Sequence, residues 1–247
     1  MLQIADLNTE WPEFKLELER VKGEIDASFP WYPWGTLQNI AHLDTLLTGS
    51  ARNLRNLVGE LPVADVGAAD GELSFFLERH GIICDVVDYA PTNMNGLRGA
   101  GLLKDRLKSK VDIFEINLDE GFRWPRPRYG LIFFLGILYH LKNPFLVLEA
   151  MARASNYALV STKIARYVPD GSVAIDNLPL AYLLHASEAN NDPTNFWVFS
   201  DAGLKRLFDR CGWDLVDYMR VGNTTHSDPA SAGGDERAFA LIKSRYF

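Results

Sequence analysis

The residues of this sequence best placed to do chemistry are two glycines and a set of aspartates at strand ends. Val63-Ala64-Asp65-Val66-Gly67-Ala68-Ala69-Asp70-Gly71 reads as a buried strand running into a glycine loop. Loops at the carboxyl ends of strands in an open α/β sheet form the ligand crevice, and glycine there lets backbone approach a nucleotide. Asp65 lies inside the strand end. Asp88 closes the next apolar run, placed to accept hydrogen bonds from two ribose hydroxyls, and Asp119 follows the third run, near where an adenine would lie. The loop reads Gly-x-x-x-Gly with Ala69 in the middle, not the compact three-glycine run of a dinucleotide fold. A pyrophosphate would need bare backbone at that position. The loop is a damaged dinucleotide site, an intact site for another ligand, or a tight strand-to-helix turn with no ligand.

A second group follows the fourth apolar run. His140 has an ordinary pKa near physiological pH and is the candidate general base; the other reading is a histidine that hydrogen-bonds within the turn before Asn143. Tyr139 either orients an acceptor or is a half-buried core tyrosine. Trp31, Tyr32 and Trp34, interrupted by Pro33, form an aromatic turn. Such faces attract cations and exclude water as a lid, or else plug the N-terminal helices onto the sheet. Lys163 and Arg166 follow the fifth strand and read either as anchors for an anionic acceptor or as exposed loop charges. The basic stretch 123–128 precedes the fourth strand and reads as a solvated turn.

These residues need a frame. The 247-residue chain is 47% hydrophobic and 23% charged, so folding is expected throughout, with one large α/β domain plus an extension. Its net charge of −7 provides no global positive field, which favours a small-molecule partner over naked nucleic acid. Cys84 and Cys211 make neither a disulfide framework nor a metal site. The most apolar stretch, 129–141, is too short to span a bilayer, and no leader is read at the N-terminus, so a cytoplasmic enzyme is expected.

Periodicity supplies the elements. Apolar residues at helical spacing predict a helix over 9–29 with Pro12 in its first turn, and Thr36 predicts the cap of a helix over 37–47. Strands are expected at 63–66, 82–87, 111–116, 131–135 and 158–161, with helices at 72–80, 93–107 and 143–154 between them. That alternation specifies a parallel sheet with helices on both faces. An irregular segment over 163–193 precedes a helix capped by Ser200, and the strands 213–221 and 237–242 follow without a helix between them, as antiparallel neighbours.

The motif 65–71, Asp88, and Phe133-Phe134-Leu135-Gly136-Ile137-Leu138-Tyr139-His140-Leu141-Lys142-Asn143-Pro144 resemble the class I S-adenosylmethionine-dependent methyltransferases over about residues 54–247. The resemblance implies a Rossmann-like, doubly wound, seven-stranded α/β sheet with one antiparallel strand near the C-terminus, plus an N-terminal helical cap. Residues 1–50 would be that cap and 51–247 the methyltransferase domain. It implies S-adenosyl-L-methionine as cofactor, bound by Asp65, Gly67, Ala68, Gly71, Asp88, Tyr89, Leu118, Asp119, Leu135 and Gly136. Tyr139 and His140 would serve the reaction, with Trp31, Tyr32, Trp34, Lys163 and Arg166 toward a small or medium-sized acceptor of methyl at oxygen or nitrogen. The segment 135–144 is also similar to that of enzymes modifying the tRNA wobble uridine, some with a carboxylated cofactor, which makes tRNA the alternative substrate. A non-catalytic nucleotide-binding protein is the second alternative.

Overall fold

The computed structural model describes residues 1–231 and 235–247 and divides into two compact units, Met1–Phe133 and Phe134–Phe247. In the first unit, α1 (Ile4–Gly23) buries Ile4, Leu7, Phe14 and Leu18 along one stripe. It begins and ends earlier than the periodicity predicts, so Pro12 lies inside the helix, where it deletes one backbone hydrogen bond, rather than in the first turn. In α2 (Asn39–Leu46) Thr36 is not the side-chain cap. Its carbonyl accepts from Asn39 N–H at 3.2 Å, while its buried hydroxyl has no partner among the described residues. A short α3 (Leu54–Val58) is capped by Asn53, whose side-chain oxygen takes Arg55 N–H at 3.2 Å.

The chain then alternates as expected: β1 (Val63–Val66), α4 (Glu72–Arg79), β2 (Cys84–Asp88), α5 (Arg98–Leu107), β3 (Asp112–Glu115) and β4 (Tyr129–Leu135). Strands β2 and β3 are parallel, as are β1 and β2, and β1 and β4, giving the order β3-β2-β1-β4. Every residue of β1 is buried, as an inner parallel strand covered on both faces must be. The helix expected over 93–107 starts only at Arg98. Asn93 instead holds the preceding turn, its Oδ1 accepting from the N–H groups of Asn95 and Leu97, both at 3.1 Å.

In the second unit, α6 (Pro144–Ala152) has the expected proline first turn, and Asn143 caps it by accepting from Leu146 N–H at 3.1 Å. The strand expected at 158–161 is a much longer β5 (Ser155–Ala165). The stretch 163–193 is not simply irregular: it holds β6 (Ala181–Leu183), antiparallel to β7 (Trp197–Ser200), which in turn lies parallel to β5. Ser200 caps α7 (Asp201–Arg210) through Gly203 N–H at 3.0 Å. The closing strands β8 (Trp213–Gly222) and β9 (Glu236–Ser244) pair antiparallel, and β9 also runs antiparallel to β5. Parallel strands with intervening helices, closed by an antiparallel strand near the C-terminus, make this the Rossmann-like α/β fold, with β6 and β7 added to the seven strands expected. Among the described residues no helix is long and apolar enough to cross a membrane.

The basic stretch before β4 is a correction of a different kind. Arg126 is not a solvated charge: its Nε and Nη2 reach Asp85 Oδ2 and Oδ1 at 2.6 and 2.7 Å, and Tyr129 OH donates to the same carboxylate at 2.8 Å. Asp85 lies fully buried in β2. Its charge is tolerable inside only because the bidentate guanidinium and the phenol satisfy it. Arg126→Met should therefore cost about 3–5 kcal/mol by stranding that carboxylate. Urea unfolding would show a lower midpoint, and adding Asp85→Asn should recover part of the loss.

Candidate active site

In the first unit the loop between β1 and α4 takes an unusual backbone course. Gly67, Ala69 and Gly71 have φ of +68°, +55° and +78°. The Gly71 position is doubly restricted, since a Cβ there would stand 3.0 Å from the Phe75 ring and 3.2 Å from Val86. Ala69 carries a side chain in a region that L residues enter at a cost of roughly 1–2 kcal/mol. Asp88 holds it there: Ala69 N–H donates to Asp88 Oδ2 at 2.9 Å, and Asn93 Nδ2 donates to the same oxygen at 3.0 Å. Tyr89 N–H occupies Asp88 Oδ1 at 2.7 Å. Two carboxylate oxygens offer about four acceptor positions, so Asp88 keeps capacity for a further donor.

The other sequence-predicted residues gather at the same strand ends. Gly67 N–H donates to Val87 O at 2.8 Å, and the Ala68 carbonyl accepts from Gly71 N–H at 2.8 Å, closing the loop. Ile116 N–H donates to Asp88 O at 2.8 Å, which brings the chain leaving β3 beside Asp88; buried Leu118 follows, then Asp119, whose N–H bonds Asn117 Oδ1 at 3.1 Å. Asp65 is buried under the loop, bonded by Ser74 Oγ at 3.0 Å. Burial, with the neighbouring Asp88 charge adding to it, pushes its carboxyl up to about 7. Burial likewise raises Asp88 above the usual carboxylate range.

Sequence reasoning missed the link between this loop and the aromatic turn. Buried Asp70 accepts from Tyr32 N–H at 2.8 Å with one oxygen and from Asn95 Nδ2 at 2.7 Å with the other. Lys22 of α1 makes a buried ion pair with Glu72 at 2.5 Å and lies 5.5 Å from the Trp31 ring centre. The aromatic turn is thus fastened directly to the glycine loop. Trp34 packs edge-on to Tyr32 yet is 64% exposed, so it is no core plug. Asp70 stands inside the quoted motif; its role was invisible because its partners are 38 and 25 residues away.

The second unit holds the remaining candidates. Gly136, at φ +80°, turns the chain after Leu135 and donates its N–H to Ser161 O at 2.9 Å. Tyr139 and His140 follow in a single 3-10 turn, their ring centres 4.4 Å apart. The His140 backbone N–H bonds within its own turn, to Ile137 O at 2.9 Å, but the ring does not: Nδ1 meets Thr194 O at 3.2 Å and Thr194 Oγ1 at 3.0 Å. Burial lowers its pKa, against the raising effects of the Thr194 bond and Asp192. Tyr139 OH accepts a 3.5 Å contact from Arg237, which the sequence reading did not single out.

Lys163 and Arg166 fit neither of their readings. Lys163 sits within β5, buried, 2.8 Å from Asp235, and its Nζ donates to Ser231 O at 3.1 Å. Arg166 directs Nε and Nη2 to one oxygen, Oε1, of fully buried Glu236, at 3.1 and 2.7 Å. Internal carboxylates neutralise both cations, so they are neither exposed loop charges nor free anion anchors.

The donor set says what the first unit's loop can hold. Asp65, Asp70 and Asp88 crowd its underside and rim, and the stretch 63–71 has no basic residue. Such a field repels pyrophosphate and favours hydroxyl donors and positive charge. A nucleoside carrying a cation fits it.

Known proteins share the fold. A family model described as a methyltransferase domain matches residues 42–218. The chain belongs to this family of S-adenosylmethionine-dependent enzymes. Among solved structures it resembles the N-terminal domain of EvdMO1 with SAH bound, at TM-score 0.58 and 16% identity, covering 93% of this chain and 96% of that one. The same domain in the presence of SAH and D-fucose gives TM-score 0.57 at 15% identity, again over 93% and 96%. The [4+2]-cyclase SpnF gives TM-score 0.58 at 12% identity over 92% and 91%. No curated protein matches the chain by sequence.

Asp65 sets a measurable pH dependence. Folding carries its carboxyl from 3.8 up to about 7, so between those values the folded chain holds a proton that the unfolded chain has released, and stability falls as pH rises across the window. Asp65→Asn removes the titrating group. Its melting temperature should decline less than the wild type's between about pH 4 and 7.

Proposed function

We propose that this chain transfers the methyl group of S-adenosyl-L-methionine to an oxygen or nitrogen of a small or medium-sized acceptor. The observation that carries the reading is the acidic glycine loop pinned by Asp88 in a chain of the methyltransferase family. Asp88 holds the ribose hydroxyls, Leu118 and Asp119 flank the adenine, and Gly67, Ala68 and Gly71 give backbone room beside the methionine portion. Asp65, Tyr89, Leu135 and Gly136 complete the cofactor set. The cofactor supplies a methyl carbon on a sulfonium, a good leaving group, so the protein's task is mainly alignment.

Residues 1–50 act as a cap in this reading, and the Trp31-Tyr32-Pro33-Trp34 turn covers the glycine loop to which Asp70 fastens it. The acceptor is small rather than tRNA because Lys163 and Arg166, which would contact phosphate, are already paired internally, and the net charge is −7. The N-terminal domain of EvdMO1 was crystallised in the presence of D-fucose, so hydroxylated sugars are the first acceptors to try. His140 takes the acceptor's proton and Tyr139 orients the acceptor.

Thermal denaturation checks the cofactor half. S-adenosylhomocysteine at about 100 times its Kd should raise the melting temperature by roughly 5–10 °C, whereas NAD should leave it unchanged. Asp88→Ala should abolish most of that rise, and an unaltered rise would remove Asp88 from the ribose role. The acceptor half is checked by release of S-adenosylhomocysteine against a panel of hydroxylated acceptors. His140→Gln should slow it about 10²–10⁴-fold while leaving S-adenosylhomocysteine binding intact. Salt-sensitive association with tRNA, absent from the small-acceptor reading, would overturn the substrate class.

A further inference from the structure

We propose that Asp192 and Thr194 are positioning residues that fix the proton of His140 on Nδ1, leaving the lone pair a general base needs on Nε2. The inference rests on the methyl-transfer reading. Two groups face Nδ1: the Thr194 carbonyl at 3.2 Å and the Thr194 hydroxyl at 3.0 Å. A carbonyl oxygen can only accept. The hydroxyl has one hydrogen, and it is committed to Asp192 Oδ1 at 2.5 Å, an oxygen that also takes Thr194 N–H at 2.9 Å. Toward Nδ1 the hydroxyl is therefore an acceptor as well, and both contacts require a proton on that nitrogen. Nε2 has no hydrogen-bond partner among the described residues.

The loop that presents Thr194 is held in a costly shape. Ala189, Asn190 and Asn191 lie in the left-handed region in succession, with φ of +46°, +75° and +53°. Asn195 Nδ2 ties the loop back to Ala189 O at 3.0 Å, and Phe196 N–H donates to the Tyr139 carbonyl at 2.8 Å. Strained backbone that the surroundings fix in place is characteristic of working sites. The charged and titratable groups around the imidazole are Asp192, Arg237 and Tyr139; Asp192 favours the imidazolium and Arg237 opposes it.

The chemistry balances. A bond forms between the methyl carbon and the acceptor oxygen or nitrogen, the carbon–sulfur bond breaks with its electron pair kept by sulfur, and the acceptor's proton moves to Nε2. The imidazolium so formed keeps its Nδ1 proton, and the Asp192 carboxylate, acting through Thr194, offsets its charge.

Long-range proton–nitrogen NMR of the histidines in the full chain, titrated from about pH 5 to 8, reads the tautomer without any acceptor. In the wild type, neutral His140 should be protonated on Nδ1. Asp192→Ala frees the Thr194 hydrogen to donate to Nδ1, so the tautomers should mix and the His140 pKa should fall. Asp192→Asn keeps an oxygen that accepts both Thr194 donors; it should preserve the Nδ1–H tautomer while lowering the pKa in the same way. A wild-type proton on Nε2, or an Asp192→Ala protein with tautomer and pKa both unchanged, overturns the proposal. The melting shift with S-adenosylhomocysteine should be equal in wild type and Asp192→Ala. If neither shifts while the tautomer pattern holds, methyl transfer fails as the function and the positioning of His140 stands.

Discussion

The bond from Ala69 N–H to Asp88 Oδ2 is the constraint on which the first unit's site depends. It joins the end of β2 to the crest of the glycine loop and compensates a residue that the Ramachandran map penalises. Next along the loop, Asp70 presents its carboxylate to the aromatic turn, where Tyr32 N–H and Asn95 occupy it. Asn93 Nδ2 bonds Asp88 Oδ2, and its Oδ1 shapes the entry to α5. One carboxylate at a strand end thereby organises the loop, the turn after β2 and, through Asp70, the N-terminal segment. A middle glycine would lower the conformational cost at position 69, but nothing in a phosphate-free ligand requires that freedom. The Asp88 bond meets the cost instead.

Electrostatics selects the ligand more sharply than shape does. Carboxylates crowded under a loop without basic residues raise one another's proton affinity, and desolvation does most of the work at Asp65 and Asp88. A loop built this way would lose affinity for every phosphate and gain it for hydroxyl donors and for positive charge. The buried Lys22–Glu72 pair beside it obeys the same rule. Glu72 Oε2 has no hydrogen-bond partner among the described residues, so the glutamate depends on that one cation, supplied from α1.

What the sequence revealed and what it hid follow from the range of the interactions. Strands β1, β2 and β4 were legible because burial leaves nearly continuous apolar runs, while β3, at the end of the sheet, is only partly buried; Asn143-Pro144 announced α6 by local cap chemistry alone. Gly67 and Gly71 were legible as turn positions, and Asp88 as a carboxylate at the end of β2, from residue type and strand-end position together. The failures are tertiary. Pro12 sits inside α1 because burial of Ile4 and Leu7 carries the helix back past it, outweighing one lost hydrogen bond. β6 and β7 are too short to show a period, and the length of β5 depends on β9, far along the chain. Lys163 and Arg166 looked like free cations because Asp235 and Glu236, which neutralise them, lie some seventy positions away. Thr194, the partner of His140 across 54 residues, carries no local signal at all.

The second unit makes the same trade as the first, strain held by a specific bond, but toward a different end. At Ala69 the bond fixes backbone; at residues 189–191 the strained run delivers a side chain and a carbonyl to one face of an imidazole. A histidine can switch tautomers at little cost, so a base that must work through one nitrogen needs its other nitrogen surrounded by acceptors. A carbonyl alone meets that need only at one point. A hydroxyl meets it only if its own hydrogen is directed elsewhere, and Asp192 directs it. Because Asp192 Oδ1 also binds Thr194 N–H, the aspartate that orients the hydroxyl also holds the backbone that bears it. Loss of that carboxylate would release both donors at once.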